Sequence, residues 1–192
     1  MFFIIVFGIL FLGLFLKSKT LVGKKTPDMI HDALIVSELI HHHIDDIRDK
    51  YNADRVWITQ FHNGGHFYPT GKSIAKFSVI YETVADEVST IQNNFKNIPV
   101  NLFSKSINEL LKNNKIVIPD YKDKNIQTFN LKYIAETTDC KSGYLFAIKT
   151  INGRFIGTLG LDYTKQTKNL NNESIMELEN YSSTIANILN EQ

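Results

Sequence analysis

The chain has 192 residues and nearly balanced charge, with 21 basic and 20 acidic side chains and a formal net charge of +1. At roughly 150 residues per domain, this length excludes a large multidomain enzyme. Balanced charge argues against a protein that coats nucleic acid, so no nucleic-acid partner is expected. A single cysteine excludes an internal disulfide, a cysteine-based zinc cluster and a dithiol redox cycle.

The first residues form an uninterrupted apolar segment. Residues 2–16 read FFIIVFGILFLGLFL, and as a helix they would span about 22 Å against a hydrocarbon core of roughly 30 Å. A cleaved signal peptide would need basic residues before the segment and a small-residue cleavage site after it. A core helix fits its all-round apolar surface poorly. We therefore expect a transmembrane anchor over residues 1–17, contacting membrane lipid through residues 2–16.

A basic linker follows over residues 18–26. Lys17, Lys19, Lys24 and Lys25 flank the apolar segment on its C-terminal side. Under the positive-inside rule they predict a single-pass membrane protein whose C-terminal domain, residues 27–192, is cytoplasmic. The same lysines could also contact anionic lipid headgroups, and the alternative to that contact is that they only stop translocation.

The next element is a long amphipathic helix. Thr26-Pro27-Asp28 predicts its start, with Thr26 as N-cap. Apolar residues then recur at spacings of three and four as far as Tyr51. This stripe fits docking on a sheet, and its near-heptad spacing also fits a homodimer through the helix of residues 27–52.

Two strands are predicted next, at residues 55–61 (RVWITQF) and 74–84 (IAKFSVIYETV). They are joined by a loop rich in turn-forming residues, HNGGHFYPTGKS. Strict alternation places Phe77, Val79 and Tyr81 on one face of the second strand. Residues 85–100 carry no clear pattern.

The remaining elements are predicted from periodicity and turn residues. They are a helix at 101–113, a strand at 115–119, a helix at 127–137, strands at 144–151 and 154–163 joined by Asn152-Gly153, and a helix from Asn172. This order predicts an α+β domain with a central, mostly antiparallel sheet of about five to six strands. The first and last helices would pack on one face of the sheet.

The segments RVWITQFHNG, FSVIYE, KIVIPD and GYLFAIKTINGRFIGTLGLDY together resemble a GAF-like domain, a small-molecule sensor fold related to PAS. The hairpin pattern typical of that family's last two strands is carried by Gly153, Gly157, Leu159, Gly160, Leu161 and Asp162. The resemblance covers about residues 27–190. It implies the fold of a small-molecule sensor but says little about function, because function resides in the site and not in the scaffold.

The sequence lacks the motifs by which members of that family bind their known ligands. The Asn-Lys-Phe-Asp-Glu type signature of cyclic-nucleotide-binding members is absent. Cys140, in TTDCKSGY, lacks the pattern that surrounds a bilin-attaching cysteine, and members that reduce methionine sulfoxide need more than one cysteine. The cofactor is therefore unknown.

The best candidate for a ligand site is the polar stretch that leaves the first predicted strand. Adjacent glycines permit positive φ and close backbone approach to a ligand, and side chains of the next strand could converge on them. The candidate ligand-binding residues are Phe61, His62, Asn63, Gly64, Gly65, His66, Lys76, Ser78, Tyr81 and Glu82. The alternative is that His62 and Asn63 only satisfy backbone groups in a tight turn. No metal site is expected.

Three consecutive histidines, His41, His42 and His43, lie within the first helix. They point about 100° apart and cannot chelate one ion together. At a dimer seam they would make the contact pH-sensitive. No catalytic constellation is present, so a non-enzymatic module for small-molecule sensing or protein interaction is expected. The alternative is a structural or host-modifying membrane protein, possibly of a phage, that uses the fold for assembly without a ligand.

Overall fold

The computed structural model describes residues 28–67 and 69–190. The predicted anchor and linker lie outside these residues. None of the helices within the two described ranges combines the length and the hydrophobicity needed to cross a bilayer.

Four α-helices, one 3-10 helix and six strands make up the described part of the chain. In chain order they are α1 (Met29–Tyr51), β1 (Arg55–His66), β2 (Ser73–Val84), β3 (Ile98–Pro99), a 3-10 helix (Val100–Phe103), α2 (Ser104–Asn113), β4 (Lys115–Ile118), α3 (Lys132–Thr137), β5 (Ser142–Lys149), β6 (Phe155–Tyr163) and α4 (Asn172–Asn190).

The six strands form one sheet in the order β3-β2-β1-β6-β5-β4. Every pair of neighbours is antiparallel, which confirms the predicted α+β architecture. The hairpin predicted at Asn152-Gly153 joins β5 to β6, with Gly153 at a φ of +75°. Asn-Gly favours such turns because both residues tolerate the left-handed backbone.

Helices α1 and α4 cover one face of the sheet, as predicted. Their buried side chains, including Ile40 and Ile44 of α1 and Leu178 and Ile185 of α4, share one core cluster with residues of four strands. Because the apolar residues of each helix form a single stripe, both helices bury that stripe against the sheet. This face of the sheet is called the helix face below.

A second, smaller core lies on the opposite face, called the cavity face below. Leu110 of α2 and Ala135 of α3 pack there against strand residues such as Leu145 and Ala147. The predicted helix at 127–137 is shorter than expected, because Phe129 and Asn130 have φ values of +49° and +68°. Two successive residues with left-handed backbone cannot belong to a right-handed helix, so α3 begins only after them, at Lys132.

The end of β1 and the start of α1 also differ from the sequence prediction. Strand β1 continues to His66 instead of ending at Phe61, because its polar residues still pair with β2. Helix α1 begins at Met29, where Asp28 caps it by accepting hydrogen bonds from the backbone N–H groups of Ile30 and His31, each at 3.2 Å. The predicted cap, Thr26, lies outside the described residues.

A β-bulge in β2 overturns the predicted alternation. Ile58 pairs with Tyr81 while Thr59 pairs with Val79, so Ile80 is an extra residue on β2. One inserted residue moves the side chains that follow it to the opposite face of the sheet. Tyr81 therefore packs in the helix-face core, whereas Val79 and Phe77 lie on the cavity face.

Candidate functional site

The cavity face encloses a mostly apolar space of about 80 Å³. Its floor is the central part of the sheet, and α2, α3 and the segment 91–95 cover it. The walls include Trp57, Thr59, Phe61, Phe77, Val79, Ile91, Phe103, Leu110, Tyr121, Ala135, Cys140, Leu145, Thr158 and Asp162. An apolar pocket with a few polar groups is the usual form of a small-molecule site.

A buried charge cluster borders this cavity. The guanidinium of Arg55 donates from Nη1 to Asp162 Oδ2 at 2.9 Å, and its Nε lies 3.6 Å from Glu82 Oε1. The Trp57 indole donates to the same Asp162 oxygen at 3.1 Å. The Arg55, Glu82 and Asp162 side chains are 1%, 3% and 10% exposed. Three charges are thus held away from solvent, which is tolerated because they pair with one another.

The cluster also holds the covering segments in place. Arg55 Nη2 donates to the carbonyls of Ser89, at 3.0 Å, and Thr138, at 3.5 Å. Glu82 accepts from the backbone N–H groups of Ile91 and Gln92, at 2.8 and 2.9 Å. The arginine therefore connects the sheet to the end of α3 and to the segment after β2, while the glutamate fixes Ile91 in the cavity wall.

Burial shifts the acid–base properties of two groups in the wall. It raises the pKa of Asp162, and the charge and hydrogen bond of Arg55 act in the opposite direction. Burial also raises the pKa of the Cys140 thiol, whose Sγ donates to the carbonyl of Ser142 at 3.0 Å. A protonated, hydrogen-bonded thiol is a poor nucleophile. Cys140 is therefore poorly suited to act as a nucleophile.

Aromatic rings line the other end of the cavity face. The Phe61 ring contacts Phe155 at a centroid distance of 4.8 Å and Phe77 at 6.5 Å, and the Phe77 ring contacts Phe103 at 5.3 Å. The interplanar angles lie between 74° and 85°. Edge-to-face contacts of this kind are favourable. They connect β6, β1, β2 and the 3-10 helix at the end of the cavity remote from Asp162.

The sequence-predicted site residues do not converge on one point. Of the ten, only Phe61 lines the cavity. Glu82 belongs to the charge cluster, and the Tyr81 side chain lies in the helix-face core. The β-bulge at Ile80 contributes to this division, because it exchanges the faces of Tyr81 and Glu82 relative to the earlier part of the strand.

The remaining predicted residues lie along the β1–β2 hairpin. His62 and Ser78 meet at 3.0 Å between Nε2 and Oγ, and Ser78 also accepts from the Asn97 N–H at 2.8 Å. The Lys76 stem lies against Gly64, where an added Cβ would come within 2.4 Å of it. Asn63 accepts from the Gly65 N–H at 3.1 Å, and His66 pairs with Ser73. Ligand binding by these residues stays a prediction.

The three histidines of α1 point in different directions, as predicted. His41 contacts the ring of Tyr81 and His43 that of Tyr181, while His42 lies 3.5 Å from Asp46. Across residues 28–67 and 69–190, no three acidic, histidine or cysteine side chains cluster as metal ligands would.

Sequence reasoning missed the charge cluster. A usable signal was present, since Arg55 and Asp162 are charged residues within otherwise apolar strands, and such residues are buried only when paired. One glycine of the β6 pattern has a packing role. Gly160 leaves room for the Trp57 indole, because a Cβ there would come within 2.2 Å of the ring.

Comparisons with solved structures decide the fold. A far-red cyanobacteriochrome photoreceptor aligns with a TM-score of 0.65 and 14% identity, covering 93% of this chain and 98% of that one. The GAF domain of Thermosynechococcus elongatus PixJ aligns at 0.64 and 13% identity, covering 83% and 88%. The domain has a GAF-like fold.

A third GAF-like neighbour is a far-red-absorbing dark state with bound biliverdin, at a TM-score of 0.61 and 15% identity, covering 77% of this chain and 85% of that one. The sequence matches no family model and no curated protein. At these identities the likeness establishes the fold alone.

Proposed function

We propose that this protein is a membrane-anchored, cytoplasmic GAF-like domain that senses a small molecule without enzymatic activity. The observation that carries the proposal is the cavity between the sheet and α2–α3, with the carboxylate of Asp162 in an otherwise mostly apolar wall. Small-molecule sites are mostly apolar and use a few polar groups of this kind to orient the ligand.

The ligand of this cavity is smaller than a bilin. Pockets for drug-sized molecules have volumes of about 300–1,000 Å³, and this cavity has about 80 Å³. Cys140, the residue type to which bilins attach, is buried and occupied by its hydrogen bond to Ser142. These features favour a compact ligand held without a covalent bond.

The test of sensing is mass spectrometry of small molecules released from the purified full chain. We expect a released compound, or a compound that raises the melting temperature of the chain. The variant Ala135→Leu places a larger side chain in the cavity wall and should abolish both effects. The matched control Ala147→Leu enlarges a residue of the same core that does not line the cavity. Equal binding by wild type and Ala135→Leu would refute the proposed site.

The membrane anchor and the cytoplasmic location form part of the proposal. They are supported by the fifteen apolar residues at 2–16 and by the four lysines that follow them. Deleting residues 2–16 should move the protein from the membrane fraction to the soluble fraction of lysed cells. If the full chain is already recovered in the soluble fraction, the anchor is wrong.

A homodimer through α1 is the second part of the proposal. Leu34, Ile35 and Leu39 are 59%, 44% and 47% exposed on this helix. They also favour the alternative function, a structural or host-modifying membrane protein that assembles through α1 without a ligand. Light scattering of full chain carrying Leu34→Glu and Leu39→Glu should give half the mass of wild type. A dimer combined with no released compound and no response to cavity filling would favour the alternative.

A further inference from the structure

Two hydroxyl groups of the cavity wall are already engaged within the protein. The Ser106 hydroxyl donates to the Phe103 carbonyl at 3.0 Å, and the Thr138 hydroxyl donates to the Ile134 carbonyl at 2.9 Å. A ligand would have to replace these hydrogen bonds, so it would gain little from them. Ser106 and Thr138 are therefore poor candidates for recognising a ligand.

The charge cluster is also satisfied where it borders the cavity. Asp162 accepts from Arg55 at 2.9 Å and from Trp57 at 3.1 Å. The Cys140 thiol, which also reaches the Ser142 carbonyl, supplies this carboxylate with a further hydrogen bond. The cluster has one buried donor without a partner among the described residues, Arg55 Nε, but Arg55 does not line the cavity.

These contacts disfavour a charged ligand. No lysine, arginine or histidine of the described residues lines the cavity, so an anion would lack a counter-ion there. Asp162 is already paired with Arg55, so a cation would have to compete with that pair. Burying a charge without a partner is costly, and a neutral ligand is therefore favoured.

The hydroxyl of Tyr121 is available to such a ligand. Tyr121 lines the cavity and is 8% exposed, and its hydroxyl has no hydrogen bond to any residue that the structure describes. Among the described residues, Arg55 Nε is the one fully buried side-chain donor or acceptor without a partner, so the Tyr121 oxygen retains accessible surface. A hydroxyl proton held away from bulk water favours an acceptor.

Gly143 of β5 makes room for this hydroxyl on the cavity face. A Cβ at Gly143 would come within 2.7 Å of the Tyr121 oxygen, so a larger residue would displace the ring. Burial raises the pKa of Tyr121, and the neighbouring Cys140 and Asp162 raise it further. The hydroxyl therefore stays protonated and acts as a donor.

The size of the cavity limits the molecule that accepts from Tyr121. A water molecule needs about 10–15 Å³ by this measure, so 80 Å³ accommodates roughly five to eight groups of similar size. The aliphatic and aromatic walls, such as Ile91, Leu110 and Phe77, suit a compact apolar body.

We propose that the cavity binds a small neutral molecule with a compact apolar body and a carbonyl-type oxygen, which accepts a hydrogen bond from the Tyr121 hydroxyl. This inference rests on the proposed function, since it names the ligand class of the same cavity. The hydrogen bond orients the oxygen, and the apolar body contacts the surrounding wall. Because the molecule is uncharged, it enters the cavity without the cost of burying an ion.

The experiment compares three probes that share a five-membered ring on the full chain. Cyclopentanone carries an acceptor oxygen, methylenecyclopentane has the same shape without it, and cyclopentylamine is cationic at neutral pH. Titration calorimetry gives the dissociation constant of each probe. We expect cyclopentylamine to bind most weakly, because no unpaired counter-ion awaits it.

Variants then locate the hydrogen bond. Tyr121→Phe removes the hydroxyl and retains the ring, so it should weaken cyclopentanone relative to methylenecyclopentane by about three- to tenfold, the range that one neutral hydrogen bond supplies. The matched control, Thr158→Val, removes another hydroxyl of the cavity wall and should leave that ratio unchanged. If Tyr121→Phe does not fold, infrared spectroscopy on wild type decides. The carbonyl stretch of bound cyclopentanone should lie at lower frequency than in a hydrocarbon solvent.

The possible failures are distinguishable. If the probes bind but Tyr121→Phe leaves their ratio unchanged, or if the carbonyl stretch is unshifted, the cavity is a ligand site and the role of Tyr121 is overturned. If cyclopentylamine binds most tightly, the neutral ligand class is overturned. If no probe binds while wild type releases a compound that Ala135→Leu does not retain, the inference alone fails. If no probe binds and Ala135→Leu changes no ligand response, the proposed cavity site fails with it.

Discussion

Replacing Arg55 with methionine removes the cation from the buried charge cluster while retaining an apolar side chain of similar length. The side chain is 1% exposed and contacts Asp162 Oδ2 at 2.9 Å and the Ser89 carbonyl at 3.0 Å. Breaking a buried ion pair by removing one partner costs about 3–5 kcal/mol. We expect a loss of about 4 kcal/mol in the free energy of unfolding, because two carboxylates then lack their cation.

Urea unfolding followed by tryptophan fluorescence measures this loss. Trp57 is the single tryptophan of the chain and lies beside the cluster, where its indole donates to Asp162. With a urea dependence of about 2 kcal/mol per molar, the unfolding midpoint should fall by roughly 2 M. The matched control is Arg154→Met, at an exposed position of the β5–β6 turn, where a change within about 0.5 kcal/mol is expected.

The pH dependence of the variant gives a second readout. Burial raises the pKa of Asp162, and a carboxyl whose pKa is raised on folding costs stability when ionised. That cost disappears as the pH falls through the pKa of the folded state. Arg55 opposes this rise, so the variant carries more of the cost than wild type, and its deficit should shrink as the pH falls through the higher folded pKa of the variant toward the ordinary carboxyl value. A loss below about 1 kcal/mol at neutral pH, or an equal loss in Arg154→Met, would refute the structural role of the cluster.

Three further predictions concern the cavity, the sheet and the helix face. Ala135→Leu should change the free energy of unfolding by less than about 1 kcal/mol because it fills existing space, whereas Ala147→Leu should cost about 1–3 kcal/mol by overpacking, and chemical denaturation of both variants checks the difference. Gly160→Ala should also cost about 1–3 kcal/mol and shift the tryptophan emission, because its Cβ would displace the indole packed over it; unchanged emission would contradict this. The hydrogen bond from Lys50 lowers the pKa of Glu177, so its stabilisation is present above the ordinary value of about 4.5 and is lost as the pH falls through the lower folded value. Melting curves of Glu177→Gln between about pH 3 and 7 should therefore approach wild type in acid, and a constant difference would argue against the ion pair.

Local patterns in the sequence account for most of the fold. The apolar stripe of α1, ending at Tyr51, and that of α4 predict two helices with one buried face each, and both bury it on the same side of the sheet. Asn152-Gly153 predicts the β5–β6 hairpin, because the turn needs a left-handed backbone that glycine adopts without strain. Patterns of this kind depend on neighbours within a few positions of the chain, which is why a single sequence reveals them.

The candidate site could be predicted only in small part. Phe61 was identified and lines the cavity, but alternation along β2 gave the wrong facing for Tyr81. The extra residue Ile80 reverses the two faces of a strand whose period is two, and no local pattern in IAKFSVIYETV marks that insertion. His62 and Ser78 do meet, because cross-strand neighbours follow from hairpin register.

The sequence by itself determined most of the helices and strands, since hydrophobic periodicity and turn chemistry act over short distances. Strand β3 and the extension of β1 to His66 depend instead on pairing with β2. The tertiary structure decided that Arg55 and Asp162, which are 107 positions apart in the chain, form an ion pair on neighbouring strands. It also decided that a cavity lies beside them. Both depend on the pairing of β1 with β6 and on the packing of α2 and α3 over the sheet. Such contacts arise only when distant segments are brought together and water is excluded, because burial gives a charge pair its energetic weight.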